Sequence, residues 1–174
     1  MESLLPTPHE AARRAGVRVA LADVRDLPEV LRVQHAGFAR VARQFGIPPE
    51  SMPPVTETTE DLARLRSEGV RTHVAFDSDR VVGTVRARVR GDGVVEIGRL
   101  AVDDGYERRG IAMALLLALE SDHPGATRFE LFTGGEATGP LALYDRLGYR
   151  VFSREQYEHY SMVWLAKDRR APYA

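Results

Sequence analysis

The chain has no cysteine, a single tryptophan and no long hydrophobic run. Without cysteine, disulfide bonds, thiolate metal sites and a cysteine nucleophile are all excluded. The longest apolar run, Ile111–Leu119, is far shorter than the roughly 20 residues that a membrane-spanning helix needs. The first residues lack the charged start and long apolar region of a secretory signal, so we expect a cytoplasmic protein.

Neither sign of charge dominates, because 24 Lys and Arg face 25 Asp and Glu and leave a net charge of −1. No global field therefore favours nucleic acid or a membrane as a partner. Arg86, Arg88 and Arg90 alternate along one segment without interleaved aromatics, which is typical of a solvated strand face. The histidines have no ligand-like spacing, and neither a nucleophile-elbow serine nor a Gly-Lys-Ser/Thr loop occurs. We predict no metal site, no hydrolase and no NTPase.

The 174 residues, 44% of them hydrophobic, fit one globular domain with a sizeable core. Apolar patterns predict seven strands, at Val17–Leu21, Thr72–Phe76, Val81–Arg90, Val94–Val102, Thr127–Thr133, Tyr149–Ser153 and His159–Ala166. Helical spacing predicts four helices, one starting at Asp26–Glu29 and running through Phe38, then Thr59–Gly69, 110–120 and Pro140–Leu147. Four prolines predict a loop over Gly46–Thr59.

The predicted element order is β-α-α-β-β-β-α-β-α-β-β, which defines an α/β fold class with a mixed sheet and helices on both faces. The β–α–β unit over 94–133 predicts a right-handed parallel crossover, and the remaining strands are expected to be antiparallel. We predict a single domain over 17–167, a flexible or weakly helical arm over 1–16, and a short tail over 168–174.

The most informative segment runs from Leu100 to Ala112, where a strand passes through a polar turn into a strongly apolar helix. The first amides of a helix have no internal partner, and the helix dipole adds partial positive charge there. Gly110 and Ala112 let a ligand approach the backbone closely. This pattern indicates an anion site, most often for phosphate, although an ordinary strand–helix connection has the same general form.

Two stretches carry a family resemblance. Residues 107–112, Glu-Arg-Arg-Gly-Ile-Ala after Leu-Ala-Val, resemble motif A of the GNAT N-acetyltransferases, with Glu107 where that pattern has Arg or Gln. Residues 141–150, with Tyr144, Gly148 and Tyr149, resemble motif B of the same superfamily, and Ala137 stands where many members carry Asn. The two motifs are correctly ordered and separated by one strand, and the resemblance covers about residues 17–167.

The resemblance implies a twisted, mostly antiparallel sheet of about seven strands, in which two parallel strands splay apart to bind acetyl-CoA. The pantetheine arm would pair with the backbone of the first of these strands. The pyrophosphate would bind the backbone amides that follow, with charge-assisted help from two arginines, whose alternative is a solvated face. The implied donor-binding residues are Leu100, Ala101, Val102, Arg108, Arg109, Gly110, Ile111, Ala112 and Met113.

Acetyl transfer requires a neutral amine, a polarised thioester carbonyl and a proton for the departing thiolate. A backbone N–H near Leu100 can polarise the carbonyl. Glu96 lies six residues before Val102, where several members of the superfamily hold a catalytic glutamate, and is expected on the same strand face as Leu100 and Val102. Glu96 is the candidate base, or else a strand residue in a salt bridge with Arg86 or Arg88. Tyr144 is the candidate general acid, or else a core tyrosine.

The implied function is acetyl-CoA-dependent acetylation of a primary amine. The acceptor is expected between Phe38–Pro54 and the terminal hairpin around Arg154–Tyr160, and it can be a small molecule or a peptide. Two alternatives stay open: an acyl-CoA-binding or regulatory module with little catalysis, which Glu107 and Ala137 favour, and an acyltransferase with a longer donor. A homodimer is expected, because exposed strand edges in this family often pair between subunits.

Overall fold

The computed structural model describes residues 5–169. Its seven strands are β1 Arg18–Leu21, β2 Arg71–Asp77, β3 Arg80–Val89, β4 Val94–Val102, β5 Arg128–Gly134, β6 Arg150–Gln156 and β7 Ser161–Asp168. Its α-helices are α1 Pro8–Ala15, α2 Leu27–Gln44, α3 Pro53–Thr56, α4 Thr59–Ser67, α5 Ile111–Ser121 and α6 Thr138–Arg146. Short 3₁₀ turns occupy Val24–Asp26 and Pro49–Ser51. All seven predicted strands and all four predicted helices are present.

The strands form one sheet in the order β1-β2-β3-β4-β5-β7-β6. All neighbours are antiparallel except β4 and β5, which run parallel on either side of the α5 crossover. This parallel pairing is short and involves only Val94–Glu96 of β4. The predicted mixed, mostly antiparallel sheet with a splayed parallel pair is therefore confirmed.

Helices cover the two faces of the sheet unequally. Helix α5 is apolar from Ile111 to Leu119, and its buried side chains pack with those of β3, β4, β5 and β7 in the main core. On the opposite face, α2 and α4 bury Leu31, Val33 and Leu62 against β2, β3 and Ala101 of β4. None of the helices within residues 5–169 is long and apolar enough to cross a bilayer.

Helix α1 departs from the expected flexible arm over 1–16. Thr7 and Glu10 form a reciprocal capping box, and Pro8 stands in the first turn where its missing N–H costs nothing. Ala11 and Ala12 are buried in the α5 core, which anchors the helix. Over Pro8–Ala15 the arm therefore takes the helical form of the prediction rather than the flexible one, and residues 1–4 lie outside the described part of the chain.

The proline-rich segment and the tail also differ in detail from the predictions. Gly46–Thr59 is not only loop, because Pro53 begins the short helix α3, where proline in the first turn is well tolerated. At the other end, β7 extends to Asp168, and the backbone N–H of Arg169 donates to the carbonyl of Thr127. Residues 170–174 of the predicted tail lie outside the described range.

Candidate active site

Strand β4 has an unpaired edge in its second half. Its pairing with β5 stops at Glu96, while its pairing with β3 continues to Val102. The N–H of Asp103 donates to Val82 of β3, so strand alternation turns the N–H and C=O of Val102 and Leu100 toward the splay. Those of Ala101 face β3. Leu100 and Val102 therefore present backbone groups that an extended ligand can pair with, as predicted for pantetheine.

A β-bulge creates this geometry. Thr84 pairs with Ala101 and Arg86 with Gly98, so one residue of β3 faces two of β4. Arg99, one of the two, has a φ of 58°, in the left-handed region that L-residues rarely adopt. A bulge bends its strand and increases the local twist, which moves the second half of β4 away from β5.

The bulge also corrects the predicted strand faces. Leu100 and Val102 pack against the α5 core, as Val95 and Ile97 do, so Glu96 lies on the opposite face. The expectation that Glu96 shares a face with Leu100 and Val102 is therefore wrong, because the extra residue shifts the alternation by one position.

The first turn of α5 lies directly after the turn that follows β4. Gly110 caps the helix with a φ of 87°, and Arg108 also has a positive φ of 59°. The first helical hydrogen bond is donated by Ala114 to Gly110, so the N–H groups of Ile111, Ala112 and Met113 have no partner within the helix. These N–H groups lie where the sequence predicts an anion site, and they are geometrically free to serve one.

The two arginines before Gly110 are exposed. Within residues 5–169 neither Arg108 nor Arg109 forms an ion pair, and the guanidinium of Arg109 stacks 4.7 Å above the ring of Tyr106. The Tyr106 hydroxyl in turn donates to Asp77 at 2.8 Å. Arg109 is thus held beside the first turn of α5 with its charge uncompensated, which suits a phosphate contact.

Glu107, the departure from motif A, is paired with a cation from α2. Its carboxylate lies 3.3 Å from the guanidinium of Arg40, which also pairs with Asp104 and donates to the carbonyl of Val102 at 3.2 Å. The guanidinium offsets the carboxylate charge that would repel a pyrophosphate. Arg40 and Glu107 also border a cavity of about 150 Å³ between α2 and Leu100–Val102.

Glu96, the candidate base, lies where the splay begins. It is the last β4 residue that pairs with β5, opposite Glu130. Its carboxylate is 3.3 Å from the guanidinium of Arg90, and its side chain is 46% exposed. The predicted alternative, a salt bridge along the strand, is therefore present, but with Arg90 rather than with Arg86 or Arg88. An exposed ion pair is weak and leaves the carboxylate accessible.

Tyr144, the candidate acid, lies on the other face of the sheet. Its ring is buried in the α5 core, and burial raises the pKa of its phenol to about 12. The hydroxyl has no hydrogen-bond partner among the described residues, and burial alone shifts its pKa. The phenol therefore stays protonated at neutral pH, and its O–H forms no hydrogen bond to a described residue. Ala137 is the N-cap residue of α6, the helix that carries Tyr144, and it supplies no side-chain cap.

A buried ionic cluster was not anticipated from the sequence. Glu57, between α3 and α4, accepts hydrogen bonds from Arg86, Arg99 and Gln34 on the α2 face of the sheet. These partners lie 23 to 42 residues away along the chain, so no local pattern indicates the cluster. The one indication of the cluster in the sequence is Arg99, a charged residue in the otherwise apolar second half of β4.

The predicted acceptor segments border the α2 face of the splay in part. Phe38 lines the cavity beside β4, and Phe45 packs against the backbone of Gly134 at the end of β5. The hairpin segment is held at its ends, where Arg154 and Glu136 contact Ser161. A larger cavity of about 410 Å³ lies at the β1 edge of the sheet, lined by Arg18, Asp23 and Phe76 among others, away from the splay.

Solved structures share this architecture. The PaiA N-acetyltransferase of Thermoplasma acidophilum in complex with coenzyme A is 18% identical, with a TM-score of 0.74 over 88% of this chain and 99% of its own. The ribosomal-protein-S18-alanine N-acetyltransferase of Escherichia coli is 16% identical, with a TM-score of 0.71 over 87% and 93%. The IAA acetyltransferase of Bacillus cereus is 20% identical, with a TM-score of 0.66 over 87% and 99%. At these identities the likeness concerns the fold alone.

No curated protein sequence matches the chain. The family model described as "Acetyltransferase (GNAT) family" matches residues 36–149, which include the whole splay, the first turn of α5 and Tyr144. This match spans most of the chain and coincides with the elements that build the site. The chain therefore belongs to the GNAT family of acetyltransferases.

Proposed function

We propose that the chain transfers an acetyl group from acetyl-CoA to a primary amine, by direct attack within a ternary complex in the cytoplasm. The observation that carries this proposal is the open half of β4 next to the uncapped first turn of α5. Both offer polar backbone groups that no described residue satisfies, apart from the contact of Arg40 with Val102. A ligand with an amide-containing arm and a pyrophosphate complements both at once.

The described residues fit this donor. Leu100 and Val102 would pair with the pantetheine arm, and the N–H groups of Ile111–Met113 would bind the pyrophosphate. Arg109 is placed to add a charged contact, and Arg40 offsets Glu107. Arg40 also donates a hydrogen bond to the carbonyl of Val102. We expect bound acetyl-CoA to replace this one hydrogen bond.

The candidate catalytic groups suit attack from one face and departure from the other. Glu96 lies on the α2 face at the start of the splay, where an accessible carboxylate can take the amine proton. The N–H of Leu100 faces the splay and can donate to the thioester oxygen as negative charge develops. Tyr144 lies on the α5 face with a free hydroxyl proton, which can be donated to the departing sulfur.

A transfer assay tests this proposal. The protein is incubated with acetyl-CoA and a panel of primary amines, thiol release is followed, and the acetylated product is identified by mass. We expect release that depends on the amine, and a Glu96→Gln variant should lose the rise in rate with pH that a carboxylate base produces. Tight donor binding without transfer to any amine would contradict the catalytic proposal and leave a donor-binding module.

A further inference from the structure

The Glu57 cluster holds more positive than negative charge. The carboxylate accepts from Arg99 at 3.0 and 3.3 Å, from Arg86 at 2.7 Å and from the amide of Gln34 at 2.7 Å. Burial tends to raise the pKa of Glu57, but the hydrogen bonds from Arg99, Arg86 and Gln34 outweigh it and lower the pKa to about 2. Glu57 is therefore ionised, and one negative charge is shared between two guanidinium groups.

The second positive charge has no counterion. Within residues 5–169, no other carboxylate lies within ion-pair distance of Arg86 or Arg99. Arg86 is 11% and Arg99 25% exposed at the side chain, so water screens both charges poorly. Poorly screened charges are normally paired, and an uncompensated one that borders open space attracts an anion. Arg86 uses only its Nη2 on Glu57, which leaves its other N–H groups without a partner among the described residues.

This cluster borders open space at the bulge. Gly98 pairs with Arg86 across the two strands, so the guanidinium of Arg86 rises beside it on the same face. A Cβ built on Gly98 would meet no atom within 4 Å, so the space above it is empty of protein. Arg99 follows immediately at the bulge, next to Leu100, whose N–H faces the splay. An anion over Gly98 would therefore lie near Leu100, whose N–H we propose as the hydrogen-bond donor to the thioester oxygen.

Apolar surface lies on the same sheet face. Phe132 of β5 is 55% exposed, and its ring centroid is 6.0 Å from that of Trp164 on β7. Both alternate with core residues, Leu131 and Val163, that point toward α5, so the aromatic pair points to the α2 side. Exposed aromatics beside a charged pocket are typical of a surface that recognises a ligand.

We propose that the acceptor is an amine bearing a carboxylate or another anionic group, which Arg99 and Arg86 bind over Gly98, with its apolar part against Phe132 and Trp164. This inference rests on the proposed acetyltransferase function and names the class of its acceptor. Arginine forks suit carboxylates because they can donate two parallel hydrogen bonds. The guanidinium of Arg99 uses one such fork on Glu57, and its remaining amino group is free for the acceptor.

Matched acceptor pairs test the inference. With acetyl-CoA as donor, L-phenylalanine is compared with L-phenylalaninamide, and L-tryptophan with L-tryptophanamide, by initial rates of thiol release. We expect a kcat/KM at least about tenfold higher for the acids, the effect that one charge-assisted contact can supply. The amide has the larger fraction of neutral amine, so intrinsic reactivity favours it and cannot produce this preference.

Two variants locate the effect. Arg99→Gln should abolish the preference for the acid mainly by raising the KM of the acid. Arg88→Gln is the matched control, because Arg88 lies two residues from Arg86 on the same strand face, is 52% exposed and pairs only loosely with Glu68, at 3.9 Å. It should leave the preference intact. The acid-to-amide ratio of the unmodified protein needs no variant, so a folding defect of Arg99→Gln leaves the test in place.

Donor binding separates the two possible failures. Calorimetric binding of acetyl-CoA with equal use of acid and amide would overturn the inference and keep the proposed function. Absence of acetyl-CoA binding would overturn the proposed function itself. If neither amine is turned over, N-acetyl-L-phenylalanine and its amide are titrated in the presence of CoA. Preferential binding of the acid supports the inference, whereas equal binding or none overturns it.

Discussion

Helix α5 ends differently at its two termini. At its C-terminal end, Glu120–His123, the protein satisfies most polar groups itself: the hydroxyl of Tyr149 and the ammonium of Lys167 bind Glu120 at 2.7 and 2.6 Å. At its N-terminal end, Gly110–Met113, the N–H groups are left without helical partners and exposed arginines stand beside them. We refer to these as the closed end and the open end.

The difference separates polar groups that stabilise the fold from polar groups that serve a ligand. At the closed end the carboxylate of Glu120 is balanced, since it meets one ammonium and one phenol. The Glu57 cluster resembles the open end in this respect, because its two arginines exceed its one carboxylate. Unsatisfied hydrogen-bonding groups and uncompensated charge therefore coincide with the splay of β4 and β5, where we propose that donor and acceptor bind.

Removal of Glu120 should have the largest effect, and it should affect stability alone. Its side chain is only 10% exposed, and Glu120→Ala leaves a partly buried ammonium and a buried phenol without their acceptor. We expect the free energy of unfolding to fall by about 3 kcal/mol, as for other broken buried pairs. Urea denaturation measures this, with Glu68→Ala as the exposed control. If Glu120→Ala were as stable as the unmodified protein, the closed end would not have this structural role.

Two neighbouring tyrosines should differ in the same way, one serving the reaction and the other serving stability. Tyr144 and Tyr149 have ring centroids 6.0 Å apart, but only the hydroxyl of Tyr149 donates a hydrogen bond to Glu120. We expect Tyr144→Phe to lower kcat by about 10²-fold with donor affinity kept, as for loss of a general acid. Tyr149→Phe should lower stability and spare kcat. Steady-state kinetics with thiol detection decide this, and unchanged turnover of Tyr144→Phe would exclude the acid role.

The same substitution at each end of α5 should have opposite effects. Ala112→Glu places a carboxylate where the donor pyrophosphate would bind, so donor affinity should fall at least about tenfold. Helix stability should not suffer, because a negative charge at the N-terminus gains about 0.5 kcal/mol from the dipole. Ala118→Glu should instead lower stability and keep donor affinity. Calorimetry and thermal melting of both variants test this, and equal donor affinity in the two would contradict the open-end account.

The smallest effect concerns pH. His73 is buried and bonded to Asp122 at 2.7 Å beside the closed end, and burial outweighs that carboxylate and lowers the pKa of His73. Since the folded state then favours neutral His73, its contribution to stability is present above the unfolded pKa of about 6.5 and is lost as the pH falls. His73→Gln should flatten the acid decline of the melting temperature. His159→Asn, at an exposed position, should keep it, and an equal decline in both would refute this.

The sequence predicts most of the fold because its signals are local. Alternation defines β3, and the apolar run defines α5, so the element order follows directly. Helix α1 was underestimated although Thr7, Pro8 and Glu10 carry a capping-box pattern, since its short length and arginines make it look marginal. Its stability comes from Ala11 and Ala12 packing against α5, a contact about 100 residues away that local patterns do not show.

The elements of the proposed donor side were predicted from the sequence, whereas the Glu57 cluster on the α2 face was not. The turn into α5 is continuous in sequence, so the residues from Leu100 to Met113 fall within one recognisable motif that the family match includes. The bulge at Arg99 has no sequence signature, because an arginine at positive φ is held there by tertiary contacts with Glu57. Strict alternation therefore assigned Glu96 to the wrong face relative to Leu100, and the Glu57 cluster stayed hidden.

A titration of the purified protein with acetyl-CoA, followed by calorimetry at moderate salt, tests the central claim most directly. If the splay of β4 and the open end of α5 form the donor site, binding is one-to-one and micromolar, and free CoA displaces the donor. If neither acetyl-CoA nor CoA binds, the unsatisfied backbone groups at the splay serve no donor, and the account of this site is wrong.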